Sequence, residues 1–314
     1  MQQTQTADQY LPTADGHNIH YACFGEPLNR PILFLHGGPG SACNPADAHL
    51  FRLEHYRLIQ TDQRGCGKST PAGSIRDNHT AALLADLEQL RHHLGIPHWL
   101  VYGGSWGAAL ALEYAKHYRP SVEGLILRGT FLARPQDLDW FFHPSGVAQQ
   151  HPTAYADLCA ALHLAPDQTS TTTLIDQLYT QLQQAAQNPA QAYQAALAIG
   201  SWNSVVMGMS ALQPETDPAA RQRRIGRELI FAHYCHHRFF LGDTGVLTGL
   251  ETLADLPITL IHGNQDQVCP LAGAETLSRL LPHARLITVE AGHPLQAGAI
   301  REALGRVLDE LRNT

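Results

Sequence analysis

The chain has 314 residues, 44% of them hydrophobic and 16% charged, which supplies a large buried core and excludes a disordered or fibrous chain. Lys and Arg number 21 against 28 Asp and Glu, a net charge of -7, so the positive field that a nucleic-acid binder needs is missing. Residues 1–10 are polar and Gln-rich, and the longest apolar runs, such as 31–35 and 124–127, are far shorter than the ~20 residues of a membrane span. A soluble chain with no secretion signal and no membrane partner is expected.

In chain order, residues 10–24 alternate weakly around Asp15 and Gly16, which predicts an antiparallel hairpin at a sheet edge. Runs rich in Ile, Leu and Val at 31–35, 57–61, 99–102 and 124–128 predict parallel strands separated by helices. Within 79–94, Leu83, Leu84, Leu87, Leu90 and Leu94 make one buried helical face, and 106–117 is a second helix. From about 135 to 249 the β-branched runs vanish, and Ala, Gln and Leu dominate stretches such as 173–187 and 189–199. Strand signals return at 257–262 and 284–289, followed by a closing helix at 297–311. The late strands need the early ones as sheet partners, so the pattern predicts one α/β fold, a mostly parallel sheet with helices on both faces and an inserted helical cap. The expected division is a core of 1–131 and 250–314 around a cap of 132–249.

Residues 103–107 read Gly-Gly-Ser-Trp-Gly, a G-x-S-x-G pattern directly after an apolar strand and directly before a helix. That context is a nucleophile elbow, a turn so sharp that it needs small neighbours and lifts the serine above the sheet, which makes Ser105 the candidate nucleophile. After strand 31–35 comes His36-Gly37-Gly38-Pro39-Gly40, a loop whose bare backbone can approach a reacting carbonyl. The expected oxyanion donors are the amides of Gly38, Gly37 and Trp106. A serine also needs a base and the base an orienting acid, in the order Ser, Asp, His for an α/β hydrolase. Asp266 follows strand 257–262 and His293 follows strand 284–289; the rival Asp255 precedes its strand and falls at the wrong sheet edge.

These segments, with the run Asp62-Gln63-Arg64-Gly65-Cys66-Gly67-Lys68-Ser69, resemble the proline iminopeptidases of the α/β-hydrolase superfamily, across 1 to about 131 and about 250 to 314. The resemblance implies a serine peptidase without a cofactor, acting on a small peptide, with Ser105, Asp266 and His293 in the roles reached above. Family members that release N-terminal proline hold its nitrogen with cap glutamates, one after a Trp in a W-E step and one shortly before an H-Y pair. Here those places read Trp202-Asn203 and Ile230-Phe231-Ala232-His233-Tyr234, without carboxylates. Trp202, Asn203, Glu228 and Tyr234 are therefore candidate substrate-binding residues, and Glu228, Glu215 and Asp217 are the acids near enough in sequence to compensate. The alternative is an esterase or arylamidase that has lost recognition of the free amine.

Two further signals are read as structural. Cys23, Cys43, Cys66, Cys159, Cys235 and Cys269 are scattered with no C-x-x-C pair, which suits free thiols in the cytoplasm. His233, Cys235, His236 and His237 are dense, but no third ligand beyond the i, i+4 histidines is indicated, so no metal is expected.

Overall fold

The computed structural model describes residues 8–312. Eight strands form one sheet in the order β1-β2-β4-β3-β5-β6-β7-β8. The hairpin of β1 (Gln9–Pro12) and β2 (Asn18–Phe24) turns at 13–17 and joins β4 (Tyr56–Thr61) antiparallel. From β4 onward every pairing is parallel, through β3 (Arg30–Leu35), β5 (Trp99–Gly104), β6 (Val122–Arg128), β7 (Ile258–Gly263) and β8 (Arg285–Val289).

Side chains alternate across the sheet and divide the core in two. Leu33, Leu35, Val101, Leu125 and Leu127 face α1 (Thr80–His93) and α2 (Trp106–His117), whereas Ile32, Phe34, Leu100, Tyr102 and Ile126 face α9 (Gly298–Leu311). Both faces are thus covered, which explains why the strands read as apolar runs rather than as alternating ones.

Between β6 and β7 the described secondary structure is helical. It comprises α3 (Pro135–Phe142), α4 (Pro152–Ala161), α5 (Thr171–Gln183), α6 (Pro189–Val206) and α7 (Pro218–His236). The expected helix at 173–187 starts earlier because Ser170 caps it, accepting from the N–H of Thr173, and its last residues tighten into a 3-10 turn. The one expected at 189–199 runs on to Val206. The expected helical cap carried no separate bounds for α3, α4 and α7, and no expectation covered α8 (Leu271–Leu280). A signal for three of them was present: α3, α4 and α7, like α6, open with proline in the first turn, where its missing N–H costs nothing.

The helix that matters most for the site is α7, because it lies directly on the core. A Cβ at Gly40 would stand 2.3 Å from the carbonyl oxygen of Arg227, and one at Gly73 would stand 2.7 Å from Cα of Gly226. These contacts require two bare backbones. The far end of α7 is bolted to Asn78: His233 Nε2 donates to its carbonyl at 2.9 Å and Tyr234 Oη donates to its Oδ1 at 2.9 Å. Since a carbonyl can only accept, His233 carries its proton on Nε2 and receives one at Nδ1 from Tyr179 Oη of α5, 3.1 Å away. The neighbouring histidines are also committed, His236 to Asp176 and His237 to the face of Phe240.

Burial pushes His233 down to about 4. A base held below its ordinary value of 6.5 is neutral in the fold, while the unfolded chain takes up a proton as pH falls. Stability contributed above pH 6.5 should therefore be lost as the pH drops through 6.5 toward 4. The thermal midpoint of the wild type should fall more steeply over that window than that of His233→Gln; parallel slopes would show that this junction does not titrate. Asn78→Ala should lower the unfolding free energy, measured by denaturant titration, by about 1–3 kcal/mol, since it deprives buried groups of α7 and the loop of their partner.

Candidate active site

The elbow is set by steric contact. β5 ends at Gly104, α2 begins at Trp106, and Ser105 between them adopts φ 57°, ψ -122°. A Cβ at Gly103 would lie 2.2 Å from the carbonyl oxygen of Gly107, and one at Gly107 would lie 2.2 Å from that of Leu35, so neither position admits a side chain. The N–H of Ser105 donates to the carbonyl of Arg128 at 2.8 Å.

Asp266 and His293 come together as a buried pair, with His293 Nδ1 2.7 Å from Asp266 Oδ2. The other carboxylate oxygen accepts from the N–H groups of Val268 and Cys269, each at 2.9 Å. Burial works to raise the Asp266 carboxyl, but His293 and these hydrogen bonds outweigh it and hold the group below its ordinary range. The rival Asp255 is taken up by Arg119 on the surface. Ser105 and His293 line one cavity of about 390 Å³, and no hydrogen bond joins Ser105 Oγ to His293; the serine oxygen instead lies 4.0 Å from Cys269 Sγ.

Gly37 sits against the nucleophile, since a Cβ there would be 3.3 Å from Ser105 Cβ, and Gly38 has φ +115°, a conformation suited to glycine. Trp106 is the first residue of α2, where a helical N–H has no partner four residues back. The run from Asp62 to Ser69 braces these parts and does not line the cavity. Gln63 accepts from the Trp106 indole at 2.9 Å and donates to His36 through its N–H at 3.0 Å and its amide at 2.9 Å, which ties the elbow to the candidate oxyanion loop. Arg64 is clamped by Asp86 at 2.6 and 2.8 Å.

The cap closes the cavity with an aromatic wall that includes Phe131, Phe141, Phe142, Phe231 and Phe239. Of the four candidate substrate-binding residues, Asn203 of α6 and Glu228 of α7 line it. Trp202 and Tyr234 do not: Trp202 is buried inside the cap against Tyr155 and Phe141, and Tyr234 is the bolt to Asn78 beneath Trp106. Their places are fixed by packing, which a sequence step such as W-N or H-Y does not display. Glu215 is bonded to Tyr193 and Arg224, and Asp217 caps α7, so neither reaches the cavity. Glu228 is 2% exposed, and its Oε1 has no hydrogen-bond partner. Arg227 Nε and Arg224 Nη1 stand 3.5 and 3.7 Å from it, close enough for charge attraction but not for hydrogen bonds. Burial pushes this carboxyl up against the pull of both arginines. Gly200 of α6 leaves the room, because a Cβ there would be 3.3 Å from Oε1.

A family model described as alpha/beta hydrolase fold matches residues 30–298. The chain is 35% identical over 289 residues to a proline iminopeptidase of Arabidopsis thaliana, covering 90% of this chain and 74% of the relative. It is 33% identical over 307 residues to that of Neisseria gonorrhoeae, covering 96% of each chain. The chain belongs to the proline iminopeptidase family of α/β hydrolases. An esterase from Exiguobacterium antarcticum shares the fold, with TM-score 0.63 at 20% identity over 98% of this chain and 100% of the other. No helix among the described residues is long and apolar enough to cross a membrane.

Within this hydrolase, Cys269 is the thiol nearest the candidate nucleophile, and its N–H holds Asp266. Burial pushes the thiol well above its ordinary value, so it reacts only slowly. Cys66, also buried, is pushed up to about 12. A bulky maleimide should inactivate slowly by displacing the acid loop, and Cys269→Ser should resist. Undiminished inactivation of that variant would move the effect to another thiol.

Proposed function

We propose that this hydrolase releases a small N-terminal residue, proline foremost, from short peptides through a Ser105-His293-Asp266 triad. Ser105 Oγ attacks the carbonyl carbon of the first residue while His293 Nε2, the nitrogen not committed to Asp266, takes the hydroxyl proton. The amides of Gly38, Gly37 and Trp106 receive the oxyanion. The C–N bond then breaks, His293 returns the proton to the leaving amine, and a water activated by the same base hydrolyses the acyl-enzyme. A rotation of the serine side chain completes the Ser105–His293 hydrogen bond when substrate docks, a link that is often open in empty sites. The cap of 132–249, closed over the core of 1–131 and 250–314, limits the substrate to short chains.

The observation that carries the choice of substrate is Glu228, a buried carboxylate in the same cavity as Ser105 and His293 with one oxygen unpaired. A substrate ammonium bonded to this carboxylate would favour the ionised acid, a charge-assisted contact of about 1.5–3 kcal/mol or roughly one to two decades of affinity. A second reading, an aryl esterase or arylamidase, draws on Asn203 and Phe231, which give the cavity wall no charge, and on Arg227, which lines the cavity as a cation.

Ser105→Ala should abolish turnover and leave the fold intact, His293→Ala should be nearly as severe, and Asp266→Asn should retain more. The two readings separate on kcat/KM for a proline arylamide, its N-acetyl form and a short aryl ester. The aminopeptidase reading expects a preference of at least about tenfold for the free imino group, and a KM raised about 10–100-fold in Glu228→Gln. A ratio near one, unmoved by Glu228→Gln, would leave the esterase reading standing.

A further inference from the structure

The end of β6 touches every member of the candidate triad. The carbonyl of Arg128 accepts from the N–H of Ser105 at 2.8 Å, and its Nη1 donates to the carbonyl of His293 at 2.7 Å. At Gly129 a Cβ would stand 3.1 and 3.2 Å from Cε1 and Nδ1 of His293 and 3.3 Å from Asp266 Oδ2, so the backbone is packed against the base and the acid together. The N–H of Thr130 donates to His262 Nδ1 at 3.2 Å, and His262 Nε2 donates to the carbonyl of Cys269 at 2.8 Å. Cys269 in turn donates its N–H to Asp266. Three consecutive residues therefore reach the nucleophile, the base and the acid.

We propose that Arg128 is a positioning residue that holds His293 in register with Ser105. The guanidinium packs against the elbow: a Cβ at Gly104 would stand 2.5 Å from its Nη2. No carboxylate among the described residues forms an ion pair with Arg128, and its Nε is buried without a hydrogen-bond partner. The half-buried guanidinium lines the same cavity as Ser105 and His293 without a counter-charge, an arrangement costly to keep for stability alone. The guanidinium donates to the main chain of His293, and its planar fork suits a fixed spacing between two loops. Without it, the His293 loop would be tied to the elbow indirectly, through the acid loop, where Asp266 bonds to His293 and the N–H of Gln265 donates to the carbonyl of Ala291, and through packing.

The inference rests on the triad reading, and activity surviving in Ser105→Ala would defeat that reading whatever Arg128 does. In Arg128→Ala, kcat on an accepted arylamide or aryl ester should fall about 10–100-fold with KM within about twofold, since misplacement of the base slows chemistry rather than binding. Guanidinium ion at millimolar concentration should restore the rate saturably in Arg128→Ala and should leave wild type and His293→Ala unchanged. Arg128→Lys, which keeps the charge without the fork, should fall between. An unchanged kcat overturns the proposal, and so does a loss confined to KM, which would make Arg128 a substrate contact. A rate loss that neither guanidinium nor Arg128→Lys relieves also overturns it, because that outcome marks a general structural role.

Discussion

Gly107 is pressed against the carbonyl oxygen of Leu35 so closely that a methyl group would stand 2.2 Å from it, and Gly103 bears on Gly107 in the same way. Strand β5 can turn into α2 within one residue only because those positions are empty. The same contact fixes more than the turn. Leu35 is the last residue of β3, so the chain leaves the sheet there as the loop of His36 to Gly40, and Gly37 is delivered alongside Ser105. Nucleophile and loop are thus registered by one backbone-to-backbone contact, and Gln63 locks it by bonding to Trp106 on one side and His36 on the other.

A second close approach, of Gly40 and Gly73 to α7, carries that registration into the cap. Because Arg227 packs its carbonyl on Gly40, the next residue, Glu228, lines the cavity at a depth set by the core. The polar interior of the cavity is arranged around this fact. Behind the cavity wall Glu215 engages Arg224, and Arg224 and Arg227 stand near Glu228 without hydrogen-bonding its Oε1. Aromatic rings cover part of the wall, beside polar residues that include Asp47, Asp137, Arg128 and Asn203.

Much of the core was legible in the sequence because its signals are local. Apolar runs marked the parallel strands, the Leu83 to Leu94 spacing marked α1, and glycines around Ser105 marked a turn that has no other use for them. The cap was read less well. Its helices bury Ala and Leu on irregular faces, and the prolines that open α3, α4, α6 and α7 were a better guide than periodicity. Which of Glu215, Asp217 and Glu228 meets the cavity was beyond reach, since the answer depends on the Gly73–Gly226 contact between segments far apart in the chain. Trp202 and Tyr234 show the same limit: both sit beside the substrate positions in sequence and both serve packing in space. Arg128 gave no sign because its importance lies in which carbonyl it reaches.

The account turns on Ser105 being the atom that attacks, in a cavity where His293 supplies the base. Mass spectrometry of the protein after treatment with a proline-derived aryl phosphonate tests this most directly. The account predicts one adduct per chain, on the peptide containing Ser105, formed in step with loss of activity and absent from both Ser105→Ala and His293→Ala. An adduct on another residue, or inactivation that leaves Ser105 unmodified, would contradict it.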